Sequence, residues 1–244
     1  MTEELFLKDA YLREFEARVV GLAGREVVLD RTAFYPGGGG QPADKGRLGV
    51  GPIQASVVDA RREGGGIVHV LDNAIPETVR ELEGELDWGR RYAHMRYHTA
   101  LHVLSGVLWR SFDARVTGGQ MREMRARMDF SFPGEWTSDV VGEIERLTNE
   151  ALAEGCPVKV YELPREEALK NEDLIRTQVN LVPERVEVVR IVEIEGIDAQ
   201  ADGGTHIANT REVGALEITN HKSKGRQNKR VEFVLDERVE SAPE

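Results

Sequence analysis

Over residues 1–88 the apolar positions fall in short runs that alternate with polar ones or are rich in β-branched side chains. These are Glu14–Val20, Glu26–Leu29, Ala55–Ala60 and Gly66–Leu71, with Thr78–Trp88 able to supply one more. Between them lie Pro36-Gly37-Gly38-Gly39-Gly40, Gly49-Val50-Gly51-Pro52 and Gly64-Gly65-Gly66. Period-two runs bounded by glycine read as strands and turns. Short strands at regular spacing predict a small barrel or sandwich.

At Asp87-Trp88-Gly89 the period changes. Arg91–Trp109 has no proline and one glycine, Gly106, and Tyr97, Leu101, Leu104 and Leu108 recur at helical spacing, with Asp87 placed to cap the start. Val116-Thr117-Gly118-Gly119 reads as a turn into a strand over Met121–Phe132. Ser138–Glu154 is a second helix, with Val141, Ile144, Leu147 and Leu152 as its apolar face and Gly155 as its stop. A strand over Val158–Leu163 leads to a short helix that starts at Pro164 or Arg165 and runs to Lys170. Val186–Ile194 is a strand, and Gly196–Asn209 a loop. Gly214–Thr219 and Arg230–Leu235 are strands joined by the basic stretch His221–Lys229. The expected class is α+β: an N-terminal small β-barrel over 1–88, then an α/β domain over 89–244.

Composition narrows the class. Hydrophobic residues make up 40% of 244, enough for a real core, yet no apolar run is long enough to span a bilayer. Met1-Thr2-Glu3-Glu4 lacks the basic and apolar regions of a signal peptide. The single cysteine, Cys156, excludes an intrachain disulfide framework and suits a reducing cytosol, so a cytoplasmic protein is expected. Net charge is −11, which taken alone argues against nucleic acid. The distribution argues otherwise. Arg90–Arg127 holds eight arginines against Asp113 and Glu123, and Thr219–Arg230 holds five lysines or arginines and no acid. The acids lie elsewhere, as in Gly134–Gly155, where six of them face only Arg146. Segregated basic stretches can bind a polyanion on one face despite a negative total, although each alone also reads as solvated surface.

The candidate chemistry starts at His98 and His102. Four residues apart on a helix, they put both imidazoles on one face about a turn apart, a clamp that suits zinc. The same spacing also occurs as a plain surface or core pair. Thr99 stands where the zincin pattern His-Glu-x-x-His needs glutamate, so the helix-borne base of that class is absent. Downstream, Asp202 and His206 flank Gly203-Gly204-Thr205, and glycines let a loop turn so that both ends face one point. The two stretches are expected to meet, hold zinc with a position left to water, and do hydrolytic chemistry. His94 extends the series by a turn and reads as a surface histidine or a neighbour of the site. Asn209-Thr210-Arg211 can orient ligands or be ordinary loop chemistry. Cys156 reads as structural. The segment from Asp30 to Gly46, with Phe34, Tyr35 and four glycines, lacks the Gly-Lys-Ser/Thr ending of a phosphate-binding loop.

Three stretches carry a family resemblance. Arg91–Gly106, with its His-Thr-Ala-Leu-His, resembles the first zinc motif of the alanyl-tRNA synthetase editing domain. Asp202–His206, followed by Ile207-Ala208-Asn209-Thr210 and Val213-Gly214, resembles its second motif. Thr32–Gly46 resembles the Thr-x-Phe-Tyr-Pro…Gly-Gly-Gln…Asp-x-Gly element of the small β-barrel that precedes that domain. The three occur in the family's order. With no aminoacylation core before them and no long extension after, the chain resembles a free-standing editing protein of the AlaX group, of the medium-length kind.

The resemblance implies a zinc-dependent trans-editing deacylase acting on tRNA(Ala) mischarged with serine or glycine. Residue by residue, it makes His98, His102 and His206 zinc ligands. Asp202 stands where many members have cysteine. A carboxylate can ligate zinc, can sit off the metal and leave three histidines with water, or can yield its place to Gln200. Thr32, Gly39, Gly40 and Gln41, in the glycine element, match the part implicated in recognising the wrong amino acid. Thr99 or Thr205 can help place water. Lys222, Lys224 and Arg226, in the second basic run, are expected to hold tRNA by its phosphates. The rivals are a zinc hydrolase of small amides or esters without RNA, a non-catalytic tRNA-binding protein with structural zinc, and editing of another tRNA.

Overall fold

The alternation of the N-terminal stretch folds into a closed six-stranded barrel. The computed structural model describes residues 1–122, 124–170, 174, 186–225 and 227–237. The chain separates into two units, Met1–His94 and Met95–Glu244.

The first unit runs β1 (Glu3–Glu4), α1 (Leu5–Lys8), β2 (Glu14–Ala23), β3 (Glu26–Leu29), β4 (Arg31–Thr32), β5 (Gly46–Val50), β6 (Ile53–Glu63), β7 (Gly66–Leu71) and β8 (Glu81–Leu86). The barrel order is β2-β3-β7-β6-β5-β8, and β1 pairs in parallel with β4 outside it. Inward positions such as Phe15, Val27, Leu29, Leu48, Val57, Leu71 and Leu82 fill the barrel with Phe34. β5 is the strand that hydrophobic patterning misses. Leu48 is its one large buried residue, and Gly46 and Gly49 depress strand propensity. Pairing with β6 on one side and β8 on the other supplies what local preference does not.

The glycine stretch between β4 and β5 is a tightly bonded turn. Gly37, Gly38, Gly39 and Gly40 have φ of 76°, 135°, 56° and 90°, a region in which a Cβ is strained, so a run of four glycines has a steric reason. Gly38 and Gln41 exchange backbone bonds of 3.0 and 2.8 Å. Tyr35 donates its hydroxyl to Gly38 O at 3.0 Å and its N–H to Asp44 Oδ2 at 2.7 Å. Asp44 is in turn held by the fully buried guanidinium of Arg91, which also donates to Ala10 O and Ala33 O. A buried charge needs such a partner set, since an unpaired guanidinium inside a protein is strongly unfavourable.

The second unit contains most of α2 (Trp88–Phe112), then β9 (Arg115–Arg122), β10 (Arg125–Ser131), α3 (Ser138–Glu154), β11 (Val158–Pro164), α4 (Arg165–Lys170), β12 (Val188–Ile194), β13 (Asp198–Ala201), a 3-10 turn (Thr210–Glu212), β14 (Leu216–Ser223) and β15 (Asn228–Leu235). Asp87 caps α2 as expected, accepting from Arg90 N at 3.1 Å. A four-stranded antiparallel sheet has the order β14-β15-β10-β9, and a three-stranded one the order β11-β12-β13. Two expectations need correcting. Val116–Gly119 is no turn: it lies inside β9, and the chain reverses around Met124, whose φ is 60°. The loop expected over Gly196–Asn209 begins with a further strand, β13.

The second helix ends as expected. Thr137 caps α3 through Val140 N at 3.3 Å, and Gly155 closes it in the left-handed conformation at φ 77°. Asn149 on α3 exchanges two 2.8 Å bonds with the backbone of Leu216, and Glu145 accepts from Ile218 N at 2.6 Å. These side chains satisfy backbone groups along the open edge of β14.

α2 departs from a simple amphipathic helix. Every residue from His94 to Leu108 is buried, including Arg96, His98, Thr99, His102 and Ser105. Tyr97 stacks on Phe233 at 6.0 Å and accepts from Leu235 N at 3.1 Å, which seats the helix on the inner face of the four-stranded sheet. Arg96 donates to Val213 O at 2.7 Å and to Asp236. Polar groups buried on a central helix must find such partners. The two histidines of the clamp find a different kind.

Candidate functional site

His98 and His102 on α2 meet Asp202 and His206 from the turn that follows β13. One donor atom from each of the four lies within 4.8 Å of the others. His98 Nε2 is 3.5 Å from Asp202 Oδ2, His102 Nε2 is 4.0 Å from the same oxygen, and His206 Nε2 is 3.2 Å from Asp202 Oδ1. A tetrahedral ion with Zn–N bonds of 2.0–2.1 Å needs ligand atoms about 3.3 Å apart, so the donor set fits such an ion with small adjustments.

The histidine rings are aimed from behind. His102 Nδ1 is bonded to Asp198 Oδ2 at 2.9 Å, leaving Nε2 to face the cluster. Asp198 is itself buried and accepts from Gln200 Nε2 at 2.9 Å, while Gln200 also reaches Ser105 Oγ at 3.2 Å. Gln200 is therefore part of this support. His206 Nδ1 lies 3.2 Å from Thr99 Oγ1, which also accepts from Ile207 N at 3.4 Å, so His206 too presents Nε2. A partner on the far nitrogen of a ligating histidine fixes its tautomer and orientation.

The Asp202 turn is clamped as well. Asp202 Oδ1 accepts from Gly204 N at 2.6 Å, and Arg190 Nη1 donates to the carbonyls of Asp202 and Gly204 at 2.9 and 3.1 Å. Electrostatics suits a cation. Burial works against the Asp202 carboxylate, but His98 and His206 outweigh it and hold the group well below the usual carboxylate range. Burial, with His98 next, pushes His206 well below the usual histidine range, so it stands as a neutral imidazole. Neutral imidazole and ionised carboxylate are the forms a metal requires.

The other expected site residues are placed as follows. Thr99 and Thr205 are fully buried, each next in sequence to a histidine of the cluster. Thr32 is buried in the barrel unit, where its hydroxyl is 2.8 Å from His69 Nε2 and accepts from Phe34 N at 3.1 Å. Gln41 is buried at the base of the glycine turn, Gly39 is exposed and Gly40 half-buried. Lys222 and Lys224 are exposed at the end of β14, and Arg226 lies outside the described residues. His94 is buried, not on the surface. Asn209, Thr210 and Arg211 tie the turn to the end of α3 through Gly155 O, Leu152 O and Glu154 O, which is scaffolding. Cys156 is half-buried, and burial and then Glu154 push its thiol up, against reactivity.

Sequence reasoning missed the parts of Asp198 and Gly106, and offered Gln200 only as an alternative ligand. Asp198, Gln200 and Asp202 recur at period two, which puts them on one face of a strand, and that signal was available. Gly106 lies one turn beyond His102. A Cβ there would stand 2.5 Å from Ile197 O, so glycine lets the β12–β13 hairpin sit close enough for Asp198 to reach the ring.

Comparison with known proteins bears on the same elements. Residues 5–90 match the family described as class II (A) tRNA synthetases, and residues 189–232 the threonyl and alanyl tRNA synthetase second additional domain. An alanyl-tRNA editing protein AlaX-M from Saccharolobus solfataricus is 42% identical over 96% of this chain and 99% of its own. Its counterpart from Methanosarcina barkeri is 38% identical over the same shares. An alanine–tRNA ligase from Pyrobaculum calidifontis is 42% identical over 89% of this chain, which there matches 25% of the longer protein. Identity at this level, over nearly the full length of both partners, shows that the chain belongs to the AlaX-M family of alanyl-tRNA editing proteins.

Proposed function

We propose that the chain is a trans-editing deacylase that hydrolyses the ester joining serine, and also glycine, to the 3′ end of mischarged tRNA(Ala), with zinc held by His98, His102, Asp202 and His206. The observation that carries this reading is the meeting of three histidines and one carboxylate around a single point, in a chain of this family. A substrate made during translation places the activity in the cytoplasm.

Zinc, when bound, supplies a Lewis acid for the ester carbonyl and lowers the pKa of water to about 7. An aminoacyl ester is already activated, so correct placement and stabilisation of the developing oxyanion suffice. Asp198 and Thr99 hold His102 and His206 with Nε2 inward, so the donors need only small adjustments to take the ion. Thr99 and Thr205, both fully buried hydroxyls, help place water. Gly39, Gly40 and Gln41 contribute to recognising the amino acid. Thr32 contributes from beneath, by fixing the strand that enters the glycine turn. Lys222, Lys224 and Arg226 hold the tRNA by its phosphates. A polar pocket can demand the hydroxyl of serine and reject alanine, which leaves buried polar groups unpaired.

Four protein donors also describe a closed structural zinc site, and a tRNA-binding protein without turnover is the second reading. Release of serine from Ser-tRNA(Ala), with Ala-tRNA(Ala) as control, before and after stripping metal with a chelator, separates them. The expected result is rapid, metal-dependent loss of serine with alanine spared. Tight tRNA binding without turnover of either substrate favours the second.

A further inference from the structure

The long basic stretch of the sequence is sorted by the fold into two kinds of arginine. Arg91 and Arg96 are buried and spend their donors on carboxylates and carbonyls. Arg122, Arg125 and Arg127 emerge on the four-stranded sheet. Strand register decides which side they take. Ala126, Met128 and Phe130 of β10, with Val231, Phe233 and Leu235 of β15, are buried on the inner face. Their neighbours therefore point outward. Arg125 is opposite Arg122, Arg127 is between Gln120 and Glu232, and Arg230 is between Asp129 and Lys222. Gln120, Arg122, Arg125, Arg127, Arg230 and Glu232 line a concavity of about 320 Å³.

The charges on this face do not balance. Asp129 alone holds Arg230 at 2.6 Å, Lys224 at 3.5 Å and Arg127 at 4.0 Å. Arg122 and Arg125 have no carboxylate partner among the described residues. They stand directly across from each other, an arrangement that destabilises a sheet unless an anion shares the two charges. A phosphodiester meets that need, because a planar guanidinium offers two parallel N–H donors to its oxygens. Several guanidinium groups on one pleated face present such forks to successive phosphates.

We propose that this outer face is a binding surface for an RNA phosphate backbone, gripped by Arg122, Arg125, Arg127 and Arg230, with Lys222 and Lys224 at its margin. It rests on the reading of the partner as tRNA and deepens it by naming the surface. The grip is independent of sequence, because phosphate contacts position an RNA without reading it.

The test is binding of an uncharged tRNA(Ala) transcript to the metal-loaded protein as a function of salt, for the wild type, the triple variant Arg122→Gln/Arg125→Gln/Arg127→Gln, and Arg146→Gln. Arg146 is an exposed arginine on α3 paired with Glu143 and Glu150, and serves as control. The triple variant should bind at least about tenfold more weakly at low salt, and the slope of log K against log salt should fall by about three. Arg146→Gln should behave as wild type, and metal content should be the same in all three. Wild-type affinity and slope in the triple variant, or an equal loss in Arg146→Gln, would overturn the proposal. So would loss of heparin binding with tRNA binding retained. Because binding is read without turnover, failure of the deacylase reading would show separately: no serine release from the wild type, with the arginine dependence of binding intact.

Discussion

Asp198 accepts from His102 at 2.9 Å and is held by Gln200 in turn, so the imidazole has one orientation, with Nε2 toward the cluster. Removing the negative charge while keeping the shape should weaken metal binding without unfolding the unit. Asp198→Asn is expected to cost 10–100-fold in metal affinity, the usual consequence of losing a carboxylate behind a ligating histidine, measured by competition with a chelator. At the same scale, His69 in the barrel shows how burial sets a charge state. Burial pushes its pKa down to about 4, against a bond to Val27 O that favours the charged form. Between roughly pH 6.5 and 4 the unfolded chain therefore binds a proton that the folded barrel refuses, so stability is present above that window and lost as pH falls through it. The shift corresponds to roughly 3 kcal/mol. Denaturant melts from pH 7 to 4 should show the decline, and His69→Gln should flatten part of it. The histidine clamp was legible in the sequence because its spacing matches the helix. Asp198 was not recognised, because the stretch Gly196–Asn209 reads as a loop; its period-two match with Gln200 and Asp202 was present, but only the third dimension puts the carboxylate behind His102.

Two preferences meet at Gly106 on α2. Alanine is the better helix former by about 1 kcal/mol, so on propensity alone Gly106→Ala stabilises. Packing opposes it, because the new Cβ would lie 2.5 Å from the Ile197 carbonyl, a backbone atom that cannot swing aside. Overpacking of this kind costs about 1–3 kcal/mol and outweighs the helix gain. The hairpin must move, and Asp198 moves with it. Gly106→Ala should therefore lower both the melting temperature and the metal affinity, the second in the direction of Asp198→Asn; a stabilised protein with unchanged affinity would refute the close-approach argument. Elements whose period is expressed locally, such as β2, β7 and α3, could be read in advance. β5 and β9 could not, since their glycines depress local preference and cross-strand partners supply the pairing. The interior position of α2 was hidden for a related reason: its polar residues imitate a solvent face until their buried partners are known.

At the scale of the whole molecule the net charge of −11 repels a polyanion, and only local segregation can reverse the sign of the field. The sequence shows that the basic residues are segregated, but which of them share a surface depends on strand register. That register puts Arg122, Arg125, Arg127 and Arg230 on the outer face, while Phe233 on the inner face meets Tyr97 of α2, the helix that carries His98 and His102. Grip and chemistry thus occupy opposite sides of one sheet and should be separable. Stripping the metal should abolish serine release and lower the melting temperature, because a ligand bound only by the folded state contributes about 4 kcal/mol at a thousandfold excess over its Kd. The same treatment should leave tRNA affinity and its salt slope unchanged, since the guanidinium groups that hold the phosphates take no part in the metal site. Parallel measurement of turnover, melting and salt-dependent binding on one chelated sample decides the point. A fall in tRNA affinity together with turnover would mean that the RNA is held at the metal itself, and that the two sides of the sheet act as one site.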